Sequence, residues 1–221
     1  MKDKFTIVQN FICTKPLRLR RILEEVPKLA KIFKGVKFIV NYNTLTNSKI
    51  IEECYRKHVD NLDFRITVEK GWLTQELHLV QSVITPYIIH FAEDIVIGGS
   101  SEEWKELWQE IEEQKVDFLN LTKLFKYSSM RRGYTSGKNL NFYNARNAPG
   151  HVLSIQAAIR KELFVERLLE CLEGGDHRTP VGYEKFYFEN NGIRKFNFRC
   201  AVPKNPNIVT HAHPGGQNEP G

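Results

Sequence analysis

TPYIIHFAEDIVI, residues 85–97, contains a largely apolar strand, Tyr87 to Phe91, that runs straight into Glu93 and Asp94. A strand this apolar is buried on both faces, as strands are inside a parallel sheet covered by helices. Its acidic end then lies where such a sheet meets solvent.

Upstream of it, strand-like and helix-like segments alternate. Phe5 to Val8 is a first strand, followed by a polar turn at Gln9 and Asn10. Thr14 is placed to cap a helix, Pro16 suits its first turn, and Leu19, Ile22, Leu23, Val26 and Leu29 recur at helical spacing until Pro27 kinks or ends it. Val36 to Val40 reads as a second buried strand, Ser48 to His58 as a helix, Phe64 to Val68 as a third strand and Leu73 to Val83 as a further helix. Downstream, Ser100 and Glu103 form a capping box that opens an acidic helix to about Gln114, and Val116 to Phe125 follows as a strand. Residues 126–150 are rich in Gly, Ser, Asn and basic residues without a period, as in a lid over a site. His151 to Ile159 reads as a strand, Lys161 to Leu172 and Thr179 to Glu189 as helices, and Phe196 to Val202 as a late strand.

Such alternation predicts a three-layer α/β/α sandwich with a mainly parallel central sheet. With 221 residues and no internal repeat, one domain over residues 1–221 is expected. Its first half runs to about residue 100. Residues 101–205 form a second half, and the Pro/Gly-rich residues 206–221 a flexible tail.

A hydrophobic share of 41% and a charged share of 26% are those of a globular chain. No apolar run approaches the roughly 20 residues that span a bilayer, and the N-terminus lacks an apolar signal core, so a cytoplasmic protein without a transmembrane segment is expected. Cys13, Cys54, Cys171 and Cys200 show no CxxC spacing, which argues against a thiolate zinc site and a disulfide framework. The net charge of +6 suits an anionic partner, whether nucleic acid, headgroups or a nucleoside diphosphate.

Ligands of open α/β sheets bind beyond the carboxyl ends of the strands. Three polar clusters fall there: Gln9 with Asn10, Asn41 with Asn43, and Glu93 with Asp94. Carboxylates at the end of a buried strand are costly to desolvate unless they meet a cation or donors, and hard oxygen ligands suit Mg²⁺ or Mn²⁺.

His90-Phe91-Ala92-Glu93-Asp94 resembles the metal-binding strand of GT-A-fold glycosyltransferases, especially their family 2-like group, in which a buried strand leads into an acidic triplet. The resemblance implies Asp94 as the metal ligand, with Glu93 at the middle acidic position; Ala92 departs from the family's acid. Leu153 to Phe164 is similar to the family stretch beside acceptor and donor sugar, where Arg160 matches and Gln156 stands for Asn. Gly182-Tyr183-Glu184 resembles the segment that carries the catalytic base, which makes Glu184 the base and Asp176 its substitute. IVTHAHPGG resembles a late His element near the metal or diphosphate, filled by His211 or His213.

The resemblance implies an enzyme that moves a sugar from a nucleoside diphosphate sugar to an unknown hydroxyl acceptor (a glycan, a lipid-linked acceptor or a protein) with inversion and a Mn²⁺ or Mg²⁺ ion. Gln9, Asn10 and Asn41 then face base and ribose, and Lys70 or the Arg131/Arg132 loop neutralises the diphosphate. Two alternatives stay open: a basic nucleic-acid-binding module, though no such motif is present, and a catalytically degenerate GT-A-fold protein that has lost the acid at Ala92.

Overall fold

The computed structural model describes residues 2–68, 71–92, 95–121, 135–144, 157–174 and 198–211, with backbone only for Ile95, Asn144, Thr210 and His211. The first half alternates: β1 (Phe5–Phe11), α1 (Pro16–Ile32), β2 (Lys37–Tyr42), α2 (Ser48–His58), β3 (Leu62–Ile66), α3 (Trp72–Gln81) and β4 (Tyr87–His90). Then come β5 (Ile95–Ile97), α4 (Ser101–Glu113), β6 (Phe118–Asn120), β7 (Thr135–Ser136), β8 (Leu140–Asn144), β9 (Ala157–Arg160), α5 (Lys161–Glu173), β10 (Arg199–Pro203) and β11 (Val209–His211).

Among the described residues, nine strands form one sheet in the order β3-β2-β1-β4-β9-β6-β10-β8-β7. β1 to β4 are mutually parallel, β9 runs against both β4 and β6, and β8 runs against β10 and β7. Only β8 and β9 oppose the common direction, so the sheet is mainly parallel, as the alternation predicted. Side chains of α1, α2 and α4 pack one face, with Phe5, Phe33, Tyr55 and Trp104 in the core. Those of α3 and α5 pack the other, with Val8, Leu73, Val80, Ile88 and Leu168. Three layers result. Among the described residues, no helix is long and apolar enough to cross a membrane.

Local chemistry explains most boundaries. Ser100 Oγ accepts from the Glu103 amide at 3.1 Å and the Glu103 carboxylate accepts from the Ser100 amide at 2.7 Å, so the capping box of α4 is complete. α1 differs from expectation. It is capped at Lys15 without a side-chain bond, and it runs through Pro27 to Ile32. Pro27 forfeits one backbone hydrogen bond, but Val26, Leu29, Ile32 and Phe33 are buried on the sheet, and that packing holds the last turn in place.

Residues 135–144, expected to belong to an aperiodic loop, instead supply β7 and β8, with β8 laid against β10. Residues 206–221 were expected to form a flexible tail, yet Val209 to His211 pair antiparallel with Ile97 to Ile95, and Ile208 and Val209 are buried. The approach depends on Gly98, where a Cβ would stand 2.0 Å from the Asn207 carbonyl oxygen. Glu25 of α1 secures the same ribbon, accepting from the Ile97 amide at 2.9 Å while it pairs with Lys28.

Candidate functional site

Strand alternation decides which side chains meet at the carboxyl ends of β1 and β2. Phe11 and Gln9 point to the α1/α2 face, Asn10 and Asn41 to the α3 face. Gln9 is accordingly buried beneath α2, where its Oε1 accepts from the Tyr55 hydroxyl at 2.8 Å. It is not brought together with Asn10.

Asn10 and Asn41 are register partners and touch. Asn41 Nδ2 lies 3.0 Å from Asn10 Oδ1, 2.5 Å from Asn43 Oδ1 and 3.4 Å from Gln75 Oε1 of α3. Asn43 Nδ2 donates to Asn10 Oδ1 at 2.8 Å, and the Thr67 hydroxyl donates to Asn41 Oδ1 at 2.7 Å. One group in this amide cluster is left over. Asn10 Nδ2 is buried and has no hydrogen-bond partner among the described residues, a deficit that costs about 1–3 kcal/mol until an acceptor fills it. Asn10, Asn41 and Gln75 are 6%, 2% and 8% exposed, so the cluster is a neutral, enclosed set of amide donors and acceptors.

Tyr42, next to Asn41 but on the other face, fixes the rim. Its hydroxyl shares a proton between the Cys13 carbonyl at 2.7 Å and the Thr46 carbonyl at 2.5 Å, which ties the β1–α1 loop to the β2–α2 loop. Burial, with the Cys13 thiol beside it, pushes this hydroxyl up to about 12, so it stays a neutral donor.

Along β4, His90 shares the α3 face with Ile88. Its Nε2 stands 3.2 Å from Glu76 Oε1 of α3, with side chains 2% and 0% exposed. Neither group makes a hydrogen bond of good geometry among the described residues, and the Phe164 ring of α5 packs against His90 at a steep angle. The sequence carried a signal for Glu76: it lies four residues from both Trp72 and Val80, within the apolar stripe of its helix. Gln75 and Thr67 gave no comparable signal, because only the folded register brings them to Asn41.

Arg160 lies elsewhere. It pairs with Tyr87, the first residue of β4, and so occupies the opposite edge of the sheet. There its guanidinium holds Asp117 at 3.0 Å, and that hydrogen bond raises the arginine further above its ordinary value. Because β9 is antiparallel to β4, its carboxyl end is at the amino end of the parallel strands.

Glu184, Lys70, Glu93 and Asp94 lie outside the described residues, as do Gln156, Asp176, Arg131, Arg132 and His213. Among the described residues, no three His, Cys, Asp or Glu side chains gather to hold a metal ion. The backbone nonetheless brings one distant segment to β5. His211 is the register partner of Ile95, the residue that follows Asp94 in the chain.

No protein-family model matches the sequence, and no curated protein matches it. Among solved structures, the chain is similar to TarS of S. aureus, with a TM-score of 0.64 at 15% identity over 95% of this chain and 37% of that one. TarS residues 1–349 in complex with UDP-GlcNAc give a TM-score of 0.62 at 17% identity, over 97% of this chain and 60% of that one. The 4-diphosphocytidyl-2C-methyl-D-erythritol synthase of Anaerococcus prevotii gives 0.53 at 9% identity, over 97% and 92%. The chain therefore spans less than two thirds of the TarS chains it matches. Strand order, the antiparallel β9 and these likenesses agree: the chain has the GT-A fold of nucleotide-diphospho-sugar transferases.

Proposed function

We propose that the chain transfers a sugar from a nucleoside diphosphate sugar to a hydroxyl acceptor, with inversion at the anomeric carbon. The observation that carries this reading is the buried amide cluster of Asn10, Asn41, Asn43 and Gln75, with the unpartnered Asn10 Nδ2 in it. A nucleobase presents carbonyl oxygens and ring N–H groups along one edge, and amide side chains are their natural complements. A base carbonyl on Asn10 Nδ2 satisfies a donor that the free protein leaves unpaired. The complex of a structurally similar protein with UDP-GlcNAc supports the same ligand class.

Lys70, or Arg131 and Arg132, then neutralises the diphosphate as charge develops on it. Asp94 and His211 would hold a Mn²⁺ or Mg²⁺ ion beside Glu93; in support, His211 is the register partner of Ile95, the residue after Asp94 in the chain. When bound, that ion supplies Lewis-acid stabilisation of phosphate charge. Glu184 takes the proton of the acceptor hydroxyl while its oxygen bonds to the anomeric carbon. The diphosphate departs on the opposite side with the electron pair of the broken bond.

Thermal unfolding against a panel of nucleoside diphosphates, with and without Mn²⁺, tests the reading. One nucleotide should raise the melting temperature, since a ligand that prefers the folded state stabilises it by mass action. The rise should be larger with Mn²⁺, and Asp94→Asn should remove only the metal-dependent part. No shift with any nucleotide contradicts a donor site, and an unchanged metal dependence in Asp94→Asn rejects that residue as ligand.

A further inference from the structure

Six of the nine large apolar side chains exposed among the described residues gather at one end of the molecule. They are Ile12, Leu17, Leu45, Ile50, Ile66 and Val68, between 40% and 70% exposed. Register places them together: Phe11, Tyr42 and Ile66 are aligned across β1, β2 and β3, so the residues just beyond them emerge side by side. The Tyr42 hydroxyl binds the loop after Ile12 to the loop after Leu45. Leu17 and Ile50 open the helices that leave those loops.

The same segments hold the positive charge. Residues 11–21, 42–50 and 64–68 carry Lys15, Arg18, Arg20, Arg21, Lys49 and Arg65 and no acid. Arg20 and Arg65 lean on Glu24 and Asp63, while Lys15 and Lys49 have no ion partner among the described residues. Among the described residues no exposed aromatic ring accompanies them to stack on single-stranded nucleic acid, whereas aliphatic side chains ringed by cations suit headgroups above acyl chains.

We propose that this face docks on an anionic lipid bilayer, with Leu17, Leu45, Ile50 and Val68 entering the interface and Lys15 and Lys49 meeting lipid phosphate. Docking requires no helix to enter the bilayer. It places the carboxyl edge of the sheet, with the amide cluster, toward the membrane, where a lipid-linked hydroxyl is within reach. Docking itself is independent of the donor reading, because it concerns exposed side chains; only the use of a lipid-linked hydroxyl rests on that reading.

Flotation of the whole chain tests it, with vesicles of phosphatidylcholine alone and of phosphatidylcholine containing phosphatidylglycerol. The protein should float with the anionic vesicles only, and less as salt rises. Lys15→Ala with Lys49→Ala should weaken binding about 25-fold, at about fivefold per lysine. Leu17→Asp with Leu45→Asp should abolish flotation without changing the melting temperature, since both side chains are exposed. Equal flotation with neutral vesicles, none with either, or variants that float unchanged would overturn the proposal. So would a salt-sensitive RNA complex in place of lipid binding, or a dimer that the leucine variant dissolves.

Discussion

Glu184→Gln is expected to bind donor as the unaltered protein does while transfer slows about 10²–10⁴-fold, the usual loss when a positioned base is removed. Glutamine keeps the shape and hydrogen-bonding reach of the side chain but does not accept the acceptor's proton. The measurement is release of nucleoside diphosphate from the sugar nucleotide that stabilises the protein, beside the thermal shift that nucleotide produces. An unchanged shift with lost release identifies a base; lost shift identifies a binding or folding role. Retained release moves the base elsewhere, first to Asp176.

The second large effect is on stability. Glu76 and His90 face each other at 3.2 Å with side chains 0% and 2% exposed. Removing one leaves the other buried without its partner, so His90→Ala or Glu76→Ala should each destabilise the protein by about 3–5 kcal/mol. For a domain of this size that lowers the melting temperature by about 6–20 °C. Replacing both by leucine should recover most of the loss, because two apolar groups leave no buried polar group without its partner. Denaturant unfolding of the singles and the double reads this directly. Singles within about 1 kcal/mol of the unaltered protein would show that the pair carries no such coupling.

The fold was legible where burial is two-sided or a cap is local. VKFIV and TPYIIHFAEDIVI announce interior strands by composition alone, and Ser100 with Glu103 marks the start of α4 within four residues of sequence. Long-range pairing was not legible. The Leu140 to Asn144 strand alternates weakly, and its stability comes from β10, far along the chain. Val209 to His211 reads as tail until Gly98 is seen to admit the Asn207 backbone.

At the site, alternation sorts two neighbours that position alone had grouped. Consecutive strand residues face opposite ways, so Asn10 joins the amide cluster while Gln9 serves the Tyr55 side of the core. Arg160 shows the same limit in another form. Matching a motif position does not fix strand direction, and the antiparallel β9 carries that arginine to the far edge. Gln75 and Thr67 entered the cluster only through the packing of α3 and the pairing of β3 with β2.

The most direct measurement is a crystal structure of the protein with the stabilising nucleoside diphosphate bound. The expected result is the base on the α3 side of β1 and β2, with one of its carbonyl oxygens accepting from Asn10 Nδ2 beside Asn41, and the diphosphate directed toward Asp94. A nucleotide lodged on the α1/α2 side, at the Arg160 edge, or anywhere that leaves Asn10 Nδ2 unpaired would contradict it.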